Sequence, residues 1–174
     1  MTTSALRPEW RPSARIRAAR QVGAATALAL ICAAPVAAQS ADDILDGSDP
    51  GAILEIARGY GSAMLDVDGV GDPKISGRIG GQPYDVFFYG CDDGGKNCNS
   101  LQFTTWYGGT RPGAEVLSDW NNENRFGTAY LDRDGDLAID MDVNLFGGVT
   151  RRNLDDTFDW WRVVLDEVRA DLVD

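Results

Sequence analysis

The 174-residue chain contains no histidine. That removes the side chain that most often works as a general base near neutral pH, and with it the commonest metal ligand. Ser-His-Asp and Cys-His nucleophile machinery are therefore excluded. Cysteine is scarce, with three in the whole chain and only Cys91 and Cys98 beyond residue 38; two cysteines without histidine do not complete a tetrahedral zinc site, and the Cys-x-x-Cys spacing of a dithiol redox centre is missing. No apolar run comfortably reaches the roughly 20 residues that a membrane-spanning helix needs. Basic residues are also in deficit, 16 against 27 acidic ones, for a formal charge of −11.

The basic residues that do occur are unevenly placed. Arg7, Arg11, Arg15, Arg17 and Arg20 precede an uncharged run from Val22 to Ala34, and Pro35-Val36-Ala37-Ala38 ends it with small residues. This order reads as an export signal, residues 1–38, cleaved between Ala38 and Gln39 and delivering a periplasmic or secreted protein. Cys32 could suggest lipid attachment, but bulky Ile31 stands before it where a lipidation site needs a small residue. Once the signal is removed, 11 basic and 26 acidic residues remain, a formal charge of −15. Such a field repels phosphate backbones and anionic lipid, so nucleic acid and membrane surfaces are not expected partners. Cations and basic protein surfaces are allowed.

The remaining two cysteines, Cys91 and Cys98, flank the turn-rich Asp92-Asp-Gly-Gly-Lys-Asn97. In an exported chain that pattern predicts a disulfide. The length after the signal suits one domain with one core.

Residues 39–50 read as a short acidic leader, and residues 51–174 as the domain. Asp49-Pro50 starts a helix whose Ile53, Ile56, Ala57 and Tyr60 share a face. Strands are predicted at Ser62 to Val67, Lys74 to Ile79, Tyr84 to Tyr89 and Leu101 to Tyr107, separated by Gly71-Asp-Pro73, Gly80-Gly81 and the cysteine loop. After Gly108 to Gly113 a short helix runs through Trp120. Asp134-Gly135 between alternating apolar residues predicts a hairpin with a two-residue turn. That turn would set Tyr130 opposite Ile139, Thr128 opposite Met141 and Phe126 opposite Val143 as a core face. Arg125, Gly127 and Ala129 would then oppose Asn144, Asp142 and Asp140 as a polar strip. The last helix is predicted from Asn153 as N-cap, with Leu154, Phe158, Trp161, Leu165, Val168 and Leu172 as its apolar stripe and Trp160 and Val164 widening it. Strands with helices on one side indicate an α+β domain with an antiparallel sheet.

The order Tyr89-x-Cys91, Cys98 followed by Leu101-Gln-Phe103, Asp119-Trp-Asn-x-x-Asn-Arg-Phe-Gly127 and Asp140-Met-Asp-Val-Asn144 resembles the YbjN domain, a family described as bacterial sensory-transduction regulators. The likeness covers about Ile53 to Leu172 and is strongest from Trp120 to Asn144. It implies a fold similar to type III secretion chaperones, ordered helix, strands, helix, two-strand hairpin, helix. It also implies a non-enzymatic regulatory or chaperone-like binding module, with no cofactor and no catalytic residues to carry over.

Three functional readings follow from the residues. In the first, Trp120, Asn121, Asn124 and Arg125, with Asp140, Asp142 and Asn144, supply an apolar anchor, a bidentate donor and amide groups suited to a protein or peptide surface. Its alternative is structural: Trp120 in the core, Asn124 capping its helix and Arg125 neutralising a carboxylate. In the second, Asp132-Arg-Asp134-Gly135-Asp136 holds calcium, although an EF-hand register is absent and turn chemistry explains the motif better. In the third, Asp140 and Asp142 act as a carboxylate pair in a hydrolase, although paired carboxylates beside an arginine are more often a salt-bridged surface. A homodimer is compatible with the surplus aromatic area at Trp160.

Overall fold

A computed structural model describes residues 40–173. The expected signal and Cys32 lie outside the described residues. Among the described residues no helix is long and apolar enough to cross a membrane.

The chain order is β1 (Ile44–Leu45), α1 (Pro50–Tyr60), β2 (Ser62–Val67), β3 (Pro73–Ile79), β4 (Gln82–Tyr89), β5 (Ser100–Tyr107), α2 (Ala114–Glu123), β6 (Thr128–Leu131), β7 (Leu137–Asn144), β8 (Val149–Thr150) and α3 (Arg151–Val168). A π-helical turn, Arg169–Val173, ends the described chain. Six strands form one antiparallel sheet in the order β2-β3-β4-β5-β7-β6, and β1 pairs with β8 beside it. The architecture is the α+β arrangement expected, with each long element within a few residues of its predicted place.

Local chemistry accounts for the starts. The Asp49 carboxylate accepts the Ala52 N–H at 3.1 Å, and Pro50 sits in the first helical turn, where its missing N–H costs nothing. The last helix starts earlier than its sequence suggests. Thr150, rather than Asn153, is the N-cap, its hydroxyl accepting the Asn153 N–H at 3.1 Å. Both residue types cap well, and Thr150 is fixed by its pairing in β8 with Ile44.

The core lies between the sheet and the helices α1 and α3. Ile53, Ile56 and Ala57 from α1 and Leu154, Phe158, Trp161, Leu165 and Val168 from α3 are all buried against Ile75, Val86, Phe88, Leu101, Phe103 and Ile139 of the sheet. Trp161 lies edge-on to Tyr84 and tilted against Phe103, while Phe158 meets Phe103 at 4.9 Å between centroids.

The acidic leader belongs to this fold. Arg151 and Arg152 donate backbone N–H groups to the carbonyls of Asp43 and Ala41, and Gly47 bridges to Cys98. A Cβ at Gly47 would stand 1.9 Å from the Cys98 carbonyl oxygen, so only glycine allows the approach. Cys98 is itself joined to Cys91 by a disulfide. Replacing both cysteines by serine is expected to cost about 2.5 kcal/mol, from the chain-entropy cost of so short a loop. Urea titration of the two proteins measures it.

All five tyrosines have raised pKa values. Burial pushes Tyr84 and Tyr107 up to about 12. Tyr60 also reaches about 12, through partial burial and then the charges of Asp155 and Asp159. Because the folded state holds these phenols neutral while the unfolded chain ionises at the ordinary phenol value of 10.0, their contribution is complete below pH 10. It is lost as pH rises from 10 towards about 12. Tyrosinate absorbance is therefore expected to rise together with loss of far-ultraviolet circular dichroism in that window, and not before it.

Candidate functional site

The β6–β7 hairpin determines the site, and its register differs from the sequence expectation by one residue. Thr128 pairs with Asp140, Ala129 with Ile139, Tyr130 with Ala138 and Leu131 with Leu137. The turn is wider than two residues. Asp132 donates its N–H to the Asp136 carbonyl, and its carboxylate accepts the N–H groups of Asp134 and Asp136. A one-residue shift exchanges the faces of a strand, so Ala129 and Ile139 face the core, while Tyr130 and Thr128 join Asp140 on the far side.

The expected polar strip is therefore divided. Asp140 accepts from the Thr104 hydroxyl at 2.6 Å and from the Tyr130 hydroxyl at 2.8 Å. Asp142 accepts from Gln102 at 3.0 Å, and the Asn144 side chain accepts the Phe146 N–H at 2.9 Å. Trp120 is 4% exposed and packed in the core. Asn121 clamps α2 to β6 through both the N–H and the carbonyl of Ala129, and Asn124 closes the end of α2 on the Trp120 carbonyl. Arg125 precedes β6 and joins no ion pair among the described residues. Its guanidinium lies 5.5 Å from the centre of the Phe126 ring. The acidic hairpin tip is also engaged internally, since Arg111 pairs with Asp136 at 2.9 Å and reaches the Asp134 carbonyl.

What the sequence reading missed is an open strand edge. β7 has eight residues, but β6 pairs only with Leu137 to Asp140. On the opposite side β5 pairs with the full length of β7. The N–H groups of Leu137 and Leu145 both donate toward the β5 side, to Thr110 and Asn99. Alternation along a regular antiparallel strand then turns the N–H and C=O of Asp142 and Asn144 the other way, where β6 supplies no residue. The chain bends at Arg125 and Phe126 just before β6, and Gly127 packs closely against Trp120 and Val164. A Cβ there would meet Val164 at 2.9 Å and Trp120 at 3.1 Å.

Beside that edge lies a groove of about 460 Å³. Its walls are Phe126 with Arg125, the edge from Met141 to Asn144, and Asn153, Asp156, Thr157 and Trp160 on α3. Phe126 and Trp160 meet at 4.6 Å between centroids, yet Trp160 remains 41% exposed. A smaller recess continues from Arg125, Phe126 and Trp160 to Glu123 and Glu167. Four carboxylates thus surround one guanidinium along the two recesses. The arrangement combines unpaired strand backbone, an aromatic shelf and negative charge.

A family model with the description "YbjN: Putative bacterial sensory transduction regulator" matches residues 49–173. No curated protein and no solved structure matches the chain.

Proposed function

The chain belongs to the YbjN family, and on that footing we propose that it is a non-enzymatic regulatory module that binds an extended, basic peptide segment of a partner protein by strand addition. The observation that carries the reading is the unpaired half of β7 beside the shelf of Trp160 and Phe126. An added strand there would take the line that β6 leaves at Thr128 and could bond to the N–H and C=O of Asp142 and Asn144. Four such bonds contribute roughly 2–6 kcal/mol net. That is too little for tight binding alone, so an apolar side chain seated on Trp160 supplies the anchor. Asp142, Asp156, Glu123 and Glu167 favour lysine or arginine at neighbouring positions of the peptide, and Arg125 sets its register by pairing with an acidic residue or a terminal carboxylate.

With residues 1–38 read as an export signal, the encounter takes place in the periplasm or outside the cell. The regulatory role then acts on an exported or envelope protein.

Selection of a displayed random-peptide library on the purified domain tests the reading. Enrichment of extended sequences that alternate an aromatic or aliphatic residue with basic ones is the expected result, with binding lost in Trp160→Ala. Failure to enrich any sequence, or enrichment that survives that substitution, would refute it.

A further inference from the structure

The sheet face turned away from α1 and α3 has no covering layer among the described residues, yet it is built like an interior. We infer that this face joins a second copy of the chain in a two-fold, sheet-on-sheet dimer. Trp106, Tyr89 and Tyr130 stand on it at 41%, 43% and 37% exposure. Its polar groups are already paired within the chain. Lys74 and the Ser76 hydroxyl both engage Asp85, at 3.3 and 2.6 Å, with the Lys74 and Asp85 side chains only 21% and 18% exposed. Thr104, 4% exposed, and Tyr130 share Asp140. Stacking another sheet here would therefore leave no carboxylate without a partner, which is the usual objection to burying charge.

The registers decide how two copies fit. Read across the sheet, one row runs Lys74, Phe87, Gln102, Asp142 and the next Ser76, Asp85, Thr104, Asp140; continuing the β4–β5 register by one more same-face pair gives Arg78, Pro83, Trp106, Ala138, with Pro83 and Trp106 lining one recess. Positive charge sits on the β3 side, and the β7 side carries carboxylates alone. A two-fold axis along the strands, between β4 and β5, sets β3 of one copy over β7 of the other and keeps each row over itself. Lys74 then faces Asp142, Ser76 faces Asp140, and Pro83 lies on Trp106, each contact made twice by symmetry. The perpendicular axis would place Lys74 over Arg78 and Asp85 over its own copy, opposing like charges. Aligned sheets pack at about 30° to each other, and this offset moves the β3 and β7 positions by only about 4 Å, within reach of a lysine. The shared face measures roughly 24 by 20 Å from strand spacing and rise. That is near the lower limit for a specific interface, so the expected association is in the micromolar range.

Sedimentation velocity of residues 39–174 from about 5 to 500 µM tests the inference. A concentration-dependent dimer is expected, with Trp106→Asp weakening it at least tenfold. Lys74→Glu and Asp142→Lys should each weaken it at least tenfold, and the double exchange should restore it to within about threefold. A monomer throughout the range would overturn the inference. So would a dimer indifferent to Trp106→Asp, or one that Trp160→Asp abolishes, because either places the interface elsewhere. No peptide is present in the assay, so its outcome is independent of whether the groove binds one.

Discussion

Asp142→Pro is expected to abolish peptide capture while the protein stays folded, whereas Val143→Pro, one residue on, is expected to unfold it. The two substitutions remove the same donor from opposite sides of one strand. The Asp142 N–H points to the side that β6 leaves empty, and proline is tolerated on a strand where its missing donor faces outwards. The lost intramolecular contact is one exposed side-chain bond to Gln102, so the melting temperature should change by only a few degrees. An incoming strand loses a hydrogen bond and meets the ring, which should weaken it at least tenfold, or about 1.4 kcal/mol. Val143 instead pairs with Leu101 in the middle of the sheet, where proline breaks a ladder bond and costs about 3 kcal/mol or more. Thermal melting and peptide titration of the two proteins separate these outcomes. Equal effects from both positions would mean that β7 has no functional edge.

The adjacent tryptophans of α3 are expected to divide in the same way. Trp161 is fully buried between Tyr84 and Phe103. Trp161→Ala removes the largest fully buried side chain and should cost roughly 3–5 kcal/mol. That approaches the whole stability of a small domain, so the variant is expected to melt far lower or to be unfolded at 37 °C. Trp160, one residue earlier, contacts Phe126 from the surface. Trp160→Ala should cost no more than about 1 kcal/mol of stability, yet reduce peptide affinity by 2 kcal/mol or about thirtyfold as the loss of a central aromatic anchor. Urea unfolding and peptide titration of both variants check the division. A Trp160→Ala protein as unstable as Trp161→Ala would place Trp160 in the core instead.

The regular parts of this molecule could be read from its sequence because each is specified within a few residues. The Asp49-Pro50 start, the glycine turns between β2, β3 and β4, and the apolar stripe of α3 are local signals. The Cys91–Cys98 disulfide was expected from the cysteine count and the turn-rich loop between the two residues. The hairpin register was not legible. Asp134-Gly135 suits a two-residue turn, but Asp132 gathers the backbone of Asp134 and Asp136 into a wider one, and that single-residue difference changes which residues face the core. β1 was hidden for another reason, since a two-residue strand has no periodicity and exists only because β8 is brought to it.

The candidate site was legible in outline alone. Trp160 is identifiable as surplus aromatic surface, and Arg125, Asp142 and Asn144 do line the groove. Trp120, Asn121 and Asn124 are tied into packing, a clamp and a helix end. The open edge itself depends on where β6 stops relative to β7. That is a difference in length between two paired strands, four residues against eight, and no residue type announces it.

A partner strand that completes the sheet at β7 must protect the backbone amides of that edge, and amide hydrogen exchange reads this protection. Exchange would be measured by nuclear magnetic resonance on the nitrogen-15-labelled domain, free and saturated with a library-selected peptide. The amides of Asp142 and Asn144 are expected to slow at least tenfold on binding, with the Trp160 indole shifting and the Trp106 indole unchanged. A bound peptide that leaves those two amides exchanging at their free rates would contradict it.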